Sequence, residues 1–143
     1  MQALESSLQT SAVAPRTLVT EAGSEMGLVF LKAISDPPCN VIMRSTISKG
    51  KSVEEICSET GVPTSTAYRK ISEMTESGLI FIERVTVSDE GKKHIVYRAA
   101  YSKVAVQCDP GNFVVESTPN AYVPDIVYRL WRIARSRQER SQE

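Results

Sequence analysis

The sequence predicts an α+β fold. Between Glu25 and Ser77 apolar residues recur at helical spacing, and from Leu79 onward the pattern changes to short runs of Ile, Val, Phe, Tyr and Thr separated by turn residues. A last stripe, Val123, Val127, Leu130 and Ala134, returns to helical spacing near the C-terminus.

With 143 residues the chain suits one domain with appendages and is long enough to bury a core without disulfides or a structural metal. Its 41% apolar and 24% charged residues are those of an ordinary globular protein. No apolar run approaches the ~20 residues that cross a bilayer, and Met1 to Ser11 has neither a basic start nor an apolar segment, so a cytoplasmic protein is expected. Cys39, Cys57 and Cys108 lie far apart in sequence, which points to reduced thiols. The 17 basic residues balance the 17 acidic ones, yet residues 1–39 carry two basic against four acidic side chains and leave the remainder net positive.

Met1 to Ser24 shows no sustained period and reads as a mobile arm, with a short helix as the alternative. Met26, Phe30, Ala33 and Ile34 then share one face of a helix stopped by Asp36-Pro37-Pro38. A second helix restarts at the prolines, turns Val41, Ile42 and Ile47 inward, and is expected to end near Lys49-Gly50-Lys51 with Gly50 left-handed. Ser52-Val53-Glu54-Glu55 is a capping box, with the Ser52 hydroxyl accepting from the Glu55 N–H and the Glu55 carboxylate reaching back to the Ser52 N–H. Val53, Ile56, Cys57 and Thr60 form the inward stripe of that short helix, and Gly61 ends it. Pro63 opens a third helix through Ser77, with Ala67, Ile71 and Met74 on the core face and Gly78 as stop. Two helices joined at Gly61-Val62 have the sequence shape of a helix-turn-helix. Leu79 to Ser88 and His94 to Ala100 flank Asp89-Glu90-Gly91-Lys92 as a β-hairpin, and Tyr101 to Cys108 and Asn112 to Thr118 flank Asp109-Pro110-Gly111 as a second.

Catalysis is not expected. One histidine, no Gly-rich phosphate loop, no G-x-S-x-G and no H-E-x-x-H leave the usual nucleophilic and metal mechanisms without parts, and no metal or cofactor is implied. The third helix instead offers an exposed arc of Thr64, Ser65, Tyr68, Arg69 and Ser72, flanked by Thr66 and Lys70. Short polar donors suit a major groove: Arg69 pairs with guanine or phosphate, and Ser and Thr reach either. Any solvated helix face also contains such residues. What favours recognition is the setting: a capped helix, a Gly turn, a Pro-opened helix and an immediate hairpin.

These segments carry a resemblance. Leu31-Lys32-Ala33-Ile34-Ser35-Asp36-Pro37, Ile47-Ser48-Lys49-Gly50, Ser52-Val53-Glu54-Glu55-Ile56, Thr60-Gly61-Val62, Ser65-Thr66-Ala67-Tyr68-Arg69-Lys70-Ile71, Glu76-Ser77-Gly78-Leu79-Ile80 and Ile95-Val96-Tyr97-Arg98 resemble the winged helix-turn-helix of ArsR-type transcription regulators, over about half the chain. The resemblance implies a DNA-binding domain at 25–100, preceded by the arm at 1–24 and followed at 101–143 by the extra hairpin and a C-terminal dimerisation helix. It places the 63–77 helix in the major groove of duplex DNA, with Thr64, Ser65, Thr66, Tyr68, Arg69 and Lys70 as contacts. It lays the wing, residues 80–98, along the flanking backbone through Lys92, Lys93 and His94. Where metal-sensing members place a cysteine pair, this sequence has only Cys57, on an apolar stripe, which reads as a core residue and not a ligand. Cys39 stands near a helix start, where the dipole favours thiolate while burial opposes it.

A single winged helix covers little DNA, so a homodimer is expected, its seam formed by Ile126, Val127, Leu130, Trp131 and Ile133 of the C-terminal helix packing on a partner; the alternative is that this helix folds back on its own domain. The rival to a DNA-binding regulator is a winged helix that docks protein within the transcription machinery, which the balanced charge favours. A ligand or thiol sensor is a third reading.

Overall fold

The computed structural model describes residues 17–21, 23–123, 133 and 140, and over them the fold is mixed α and β with antiparallel sheets. In chain order the elements are β1 (Leu18–Glu21), α1 (Glu25–Ser35), α2 (Pro37–Ser45), α3 (Val53–Thr60), α4 (Thr64–Glu76), β2 (Ile80–Val87), β3 (Lys93–Ala99), β4 (Tyr101–Asp109) and β5 (Asn112–Pro119). No helix among the described residues is long and apolar enough to cross a membrane.

Each helix starts where a side chain or proline allows it. Ser24 Oγ accepts from the Gly27 N–H at 3.1 Å to open α1, and Asp36 accepts from the Cys39 N–H at 3.2 Å to open α2 behind Pro37. The second helix stops at Ser45, well before the expected Lys49-Gly50-Lys51 turn. The reason is Thr46, whose N–H and buried hydroxyl both turn back on the Met43 carbonyl, at 3.2 and 3.1 Å, and close the last turn. Gly50 is not left-handed either. It is a close-approach residue, because a Cβ there would strike the Glu83 carboxylate and lie 2.8 Å from Val96 Cγ1.

The sheet order is β1-β5-β4, with β2-β3 as a separate pair. Lys51 adds a short third rung to that pair by exchanging both backbone hydrogen bonds with Tyr97, at 2.9 and 2.8 Å. Both expected hairpins are present. Leu18–Glu21, which the sequence pattern leaves in the mobile arm, is instead a strand on β5, with Leu18 opposite Ser117 and Glu21 opposite Val114. Four residues are too few to show a period of two, and their partner lies almost a hundred residues away.

The core gathers Phe30, Ile42, Ile56, Ile71, Leu79, Ile80 and Val115, all buried to within 2% exposure. Each such side chain contributes about 1.5–3 kcal/mol relative to leaving it in water. Val115 and Tyr101, from the second hairpin, belong to the same cluster as the helices, and the Tyr101 ring meets Phe30 edge-on at 4.9 Å. Asn120 ties the two sheets to the helical layer, donating to the Ile47 carbonyl at 2.8 Å and to the Ala99 carbonyl at 3.1 Å.

Candidate functional site

The candidate surface begins at α3. Ser52 Oγ accepts from the Glu55 N–H at 3.3 Å as the capping box requires, but the return contact differs: the Ser52 hydroxyl itself lies 3.3 Å from Glu55 Oε1, in place of a bond from the Ser52 N–H. Gly61 ends α3 at φ 76°, with its N–H on the Cys57 carbonyl at 3.0 Å, a left-handed position that a side chain would strain. Val62 is buried, and Pro63 is extended at ψ 142°, so α4 runs from Thr64 to Glu76, one residue shorter at each end than the expected 63–77.

Ala67, Ile71 and Met74 are buried, which fixes the roll of α4. Thr64, Ser65, Tyr68, Arg69 and Ser72 consequently face solvent, Tyr68 at 54% exposure, and Thr66 is half-buried. No side chain caps the start of α4, so its first N–H groups point outward beside Thr64 and Ser65. Lys70 departs from this arc. Its ammonium turns toward α2, 3.4 Å from Asp36 and 3.9 Å from Glu73.

Beyond α4 the β2–β3 hairpin reaches into solvent. Its tip is closed by the Ser88 N–H on the Lys92 carbonyl at 2.9 Å and the Lys92 N–H on Ser88 Oγ at 3.1 Å. Lys92 and Lys93 are exposed, His94 is half-buried opposite Thr86, and the acidic Asp89 and Glu90 share the tip with the lysines. One face of the hairpin is an exposed apolar stripe: Val85 sits opposite Ile95, Val87 lies beyond it, and Ile82 lies opposite Tyr97. Burial, and the nearby Tyr68 of α4, push the Tyr97 hydroxyl above its ordinary pKa.

Two features at this surface are not visible in the sequence. The extra residue of the β2 bulge is Glu83, whose Oε1 lies 3.3 Å from Nε of the buried Arg98 without the alignment of a hydrogen bond. The Arg98 guanidinium is also stacked 4.0 Å from the Tyr122 ring centre. The second is an open groove of about 520 Å³ between α1 and α4, lined by Val29, Lys32, Asp36, Cys39, Lys70 and Glu73 among others. Burial, reinforced by Asp36, pushes the Cys39 thiol up to about 12, so it is protonated at neutral pH. Cys57 is half-buried against the core. No group of three metal-ligating side chains occurs among the described residues.

Of the expected dimer seam, Ile126, Val127, Leu130 and Trp131 lie outside the described residues, while Ile133 is helical and exposed. Thr64, Ser65, Tyr68 and Arg69 form one surface, and Lys92 and Lys93 stand at the hairpin tip. Compared with known protein-family models and with characterised proteins, the sequence matches none.

Proposed function

We propose that the chain is a winged helix-turn-helix regulator of transcription that binds duplex DNA as a homodimer, with α4 in the major groove and the β2–β3 hairpin as the wing on the flanking backbone. The observation that carries this reading is the uncapped, outward-facing start of α4, with Thr64, Ser65, Tyr68 and Arg69 exposed around it and no partner on Arg69 among the described residues. Free helix N–H groups beside short hydroxyls and a guanidinium suit phosphates and base edges. Lys92 and Lys93 add sequence-independent attraction, which Asp89 and Glu90 reduce.

A second reading, a protein-docking winged helix, is favoured by the exposed Ile82, Val85, Val87 and Ile95 on the wing. Selection from random duplexes at two salt concentrations separates them. A DNA regulator enriches a defined site and loses about one decade of affinity per decade of salt for each phosphate contacted; a docking module enriches none.

A further inference from the structure

We infer that β4 is the seam of a symmetric dimer, its outer edge, unpaired among the described residues, pairing antiparallel with the β4 edge of a second copy. β4 closes one side of the β1-β5-β4 sheet, so alternate backbone groups along it point away from β5. Its backbone from Lys103 to Cys108 bonds to β5 alone among the described residues, and Lys103, Val106, Gln107 and Cys108 are exposed. The other outer strands are blunted: β1 has four residues, β2 is bent by its bulge and carries Glu83 and Arg84, and β3 is bridged at Tyr97 by Lys51. β4 lacks such protection, since Val104 to Cys108 is an uncharged run in regular register.

The strand also dictates its own register. Regular pairing runs from Lys103, after the bulge at Tyr101, to the turn at Asp109, and Val106 is its midpoint. A two-fold axis beside Val106 pairs the whole stretch: Val106 meets the partner's Val106, Val104 meets the partner's Cys108, Ala105 meets the partner's Gln107, and Lys103 meets the partner's Asp109. Opposite charges therefore meet at both ends and like charges nowhere. Lys103 has no ion pair among the described residues, so it is available for this contact. Val104, Val106 and Cys108 share one face with Phe113, which lies opposite Cys108; Val106 and Phe113 are 43% and 49% exposed in the single chain. Pairing carries this apolar band across the axis and joins the two sheets into one. Such a seam supplies the homodimer of the proposed function, yet it rests on the strand and not on DNA binding.

Sedimentation of the full chain without DNA tests it. At roughly 50 μM, above the dissociation constant of a small interface, the wild type is expected as a dimer. Val106→Lys sets two ammonium groups at the axis and raises the dissociation constant by about tenfold or more with an unchanged circular dichroism spectrum. Val104→Cys yields a covalent dimer through the native Cys108 under mild oxidation, and Lys103→Cys, on the opposite face, does not. A monomeric wild type, a Val106→Lys variant that dimerises like the wild type, or an absent Val104→Cys cross-link overturns the inference, as does a dimer abolished by Leu130→Asp but kept in Val106→Lys. Because no DNA is present, a failure to bind DNA leaves these outcomes unchanged and counts only against the regulator reading.

Discussion

The Lys70 ammonium lies 3.4 Å from the same Asp36 carboxylate that caps α2 by accepting from the Cys39 N–H. One side chain thereby joins the end of α1, the start of α2 and the inner flank of α4. The Cys39 thiol, its N–H and Lys70 hold the Asp36 carboxyl below the ordinary range, against burial, which raises it. A depressed folded pKa stabilises above the unfolded value of 3.8 and is lost as pH falls through the folded one. Asp36→Ala is expected to cost about 1 kcal/mol in urea unfolding at pH 7, mostly the cap. The gap between the variant and the wild type should begin to narrow as pH falls below 3.8 and close as it passes through the lower folded pKa; a gap that persists once the folded carboxyl is protonated assigns the loss to packing.

Cys39 and Cys108 are expected to differ sharply toward alkylating reagents. The Cys39 thiol is buried and pushed up to about 12, whereas Cys108 is exposed on β4. Iodoacetamide at pH 8 should label Cys108 in the folded chain and reach Cys39 only on unfolding. The same shift predicts alkaline sensitivity: Cys39 stays protonated in the fold while the unfolded thiol ionises above about 9, so its part of the stability is lost as pH rises from there toward 12. Rapid labelling of Cys39 in native protein would revive the thiol-sensor reading.

Gly50→Ala should destabilise by about 1–3 kcal/mol through overpacking. The flexible end of Glu83 is not free to yield, because it is paired with the buried Arg98, and Val96 crowds the other side. In a double-mutant cycle with Glu83→Ala, the two single losses should exceed the loss in the double variant by more than about 0.5 kcal/mol. Additive losses would show that Val96 alone sets the limit.

The helical layer is legible in the sequence because its signals are local. Ser52, Gly61 and the Ala67, Ile71 and Met74 stripe each act within a few residues, and the exposed arc of α4 follows from them by elimination. What is not legible depends on distant partners. β1 exists only because β5 offers an edge, and Gly50 is a glycine because Val96 and Glu83 of the β2–β3 pair approach it from more than thirty residues away in sequence. Helical angle alone puts Lys70 beside the outward arc, yet a long side chain on the flank swings to the nearest carboxylate, here Asp36. Arg98 carries no signal, since an arginine in an alternating strand reads as solvent-facing until Tyr122 covers it.

If α4 reads DNA, Arg69 and the wing lysines should fail in different ways. Arg69 is exposed on the helix face centred on Tyr68, so Arg69→Ala should cost about 1–3 kcal/mol on the selected duplex and much less on a scrambled one. Lys92→Ala with Lys93→Ala removes charge from the hairpin tip, where the side chains are free to meet phosphate. That variant should weaken both duplexes alike and reduce the salt slope by about one for each phosphate that the wing no longer neutralises. Fluorescence anisotropy at a series of salt concentrations reads both quantities from one titration set. Equal losses on both duplexes for Arg69→Ala would demote it to a phosphate contact, and an unchanged slope for the lysine pair would take the wing off the backbone and leave its apolar stripe for a protein partner.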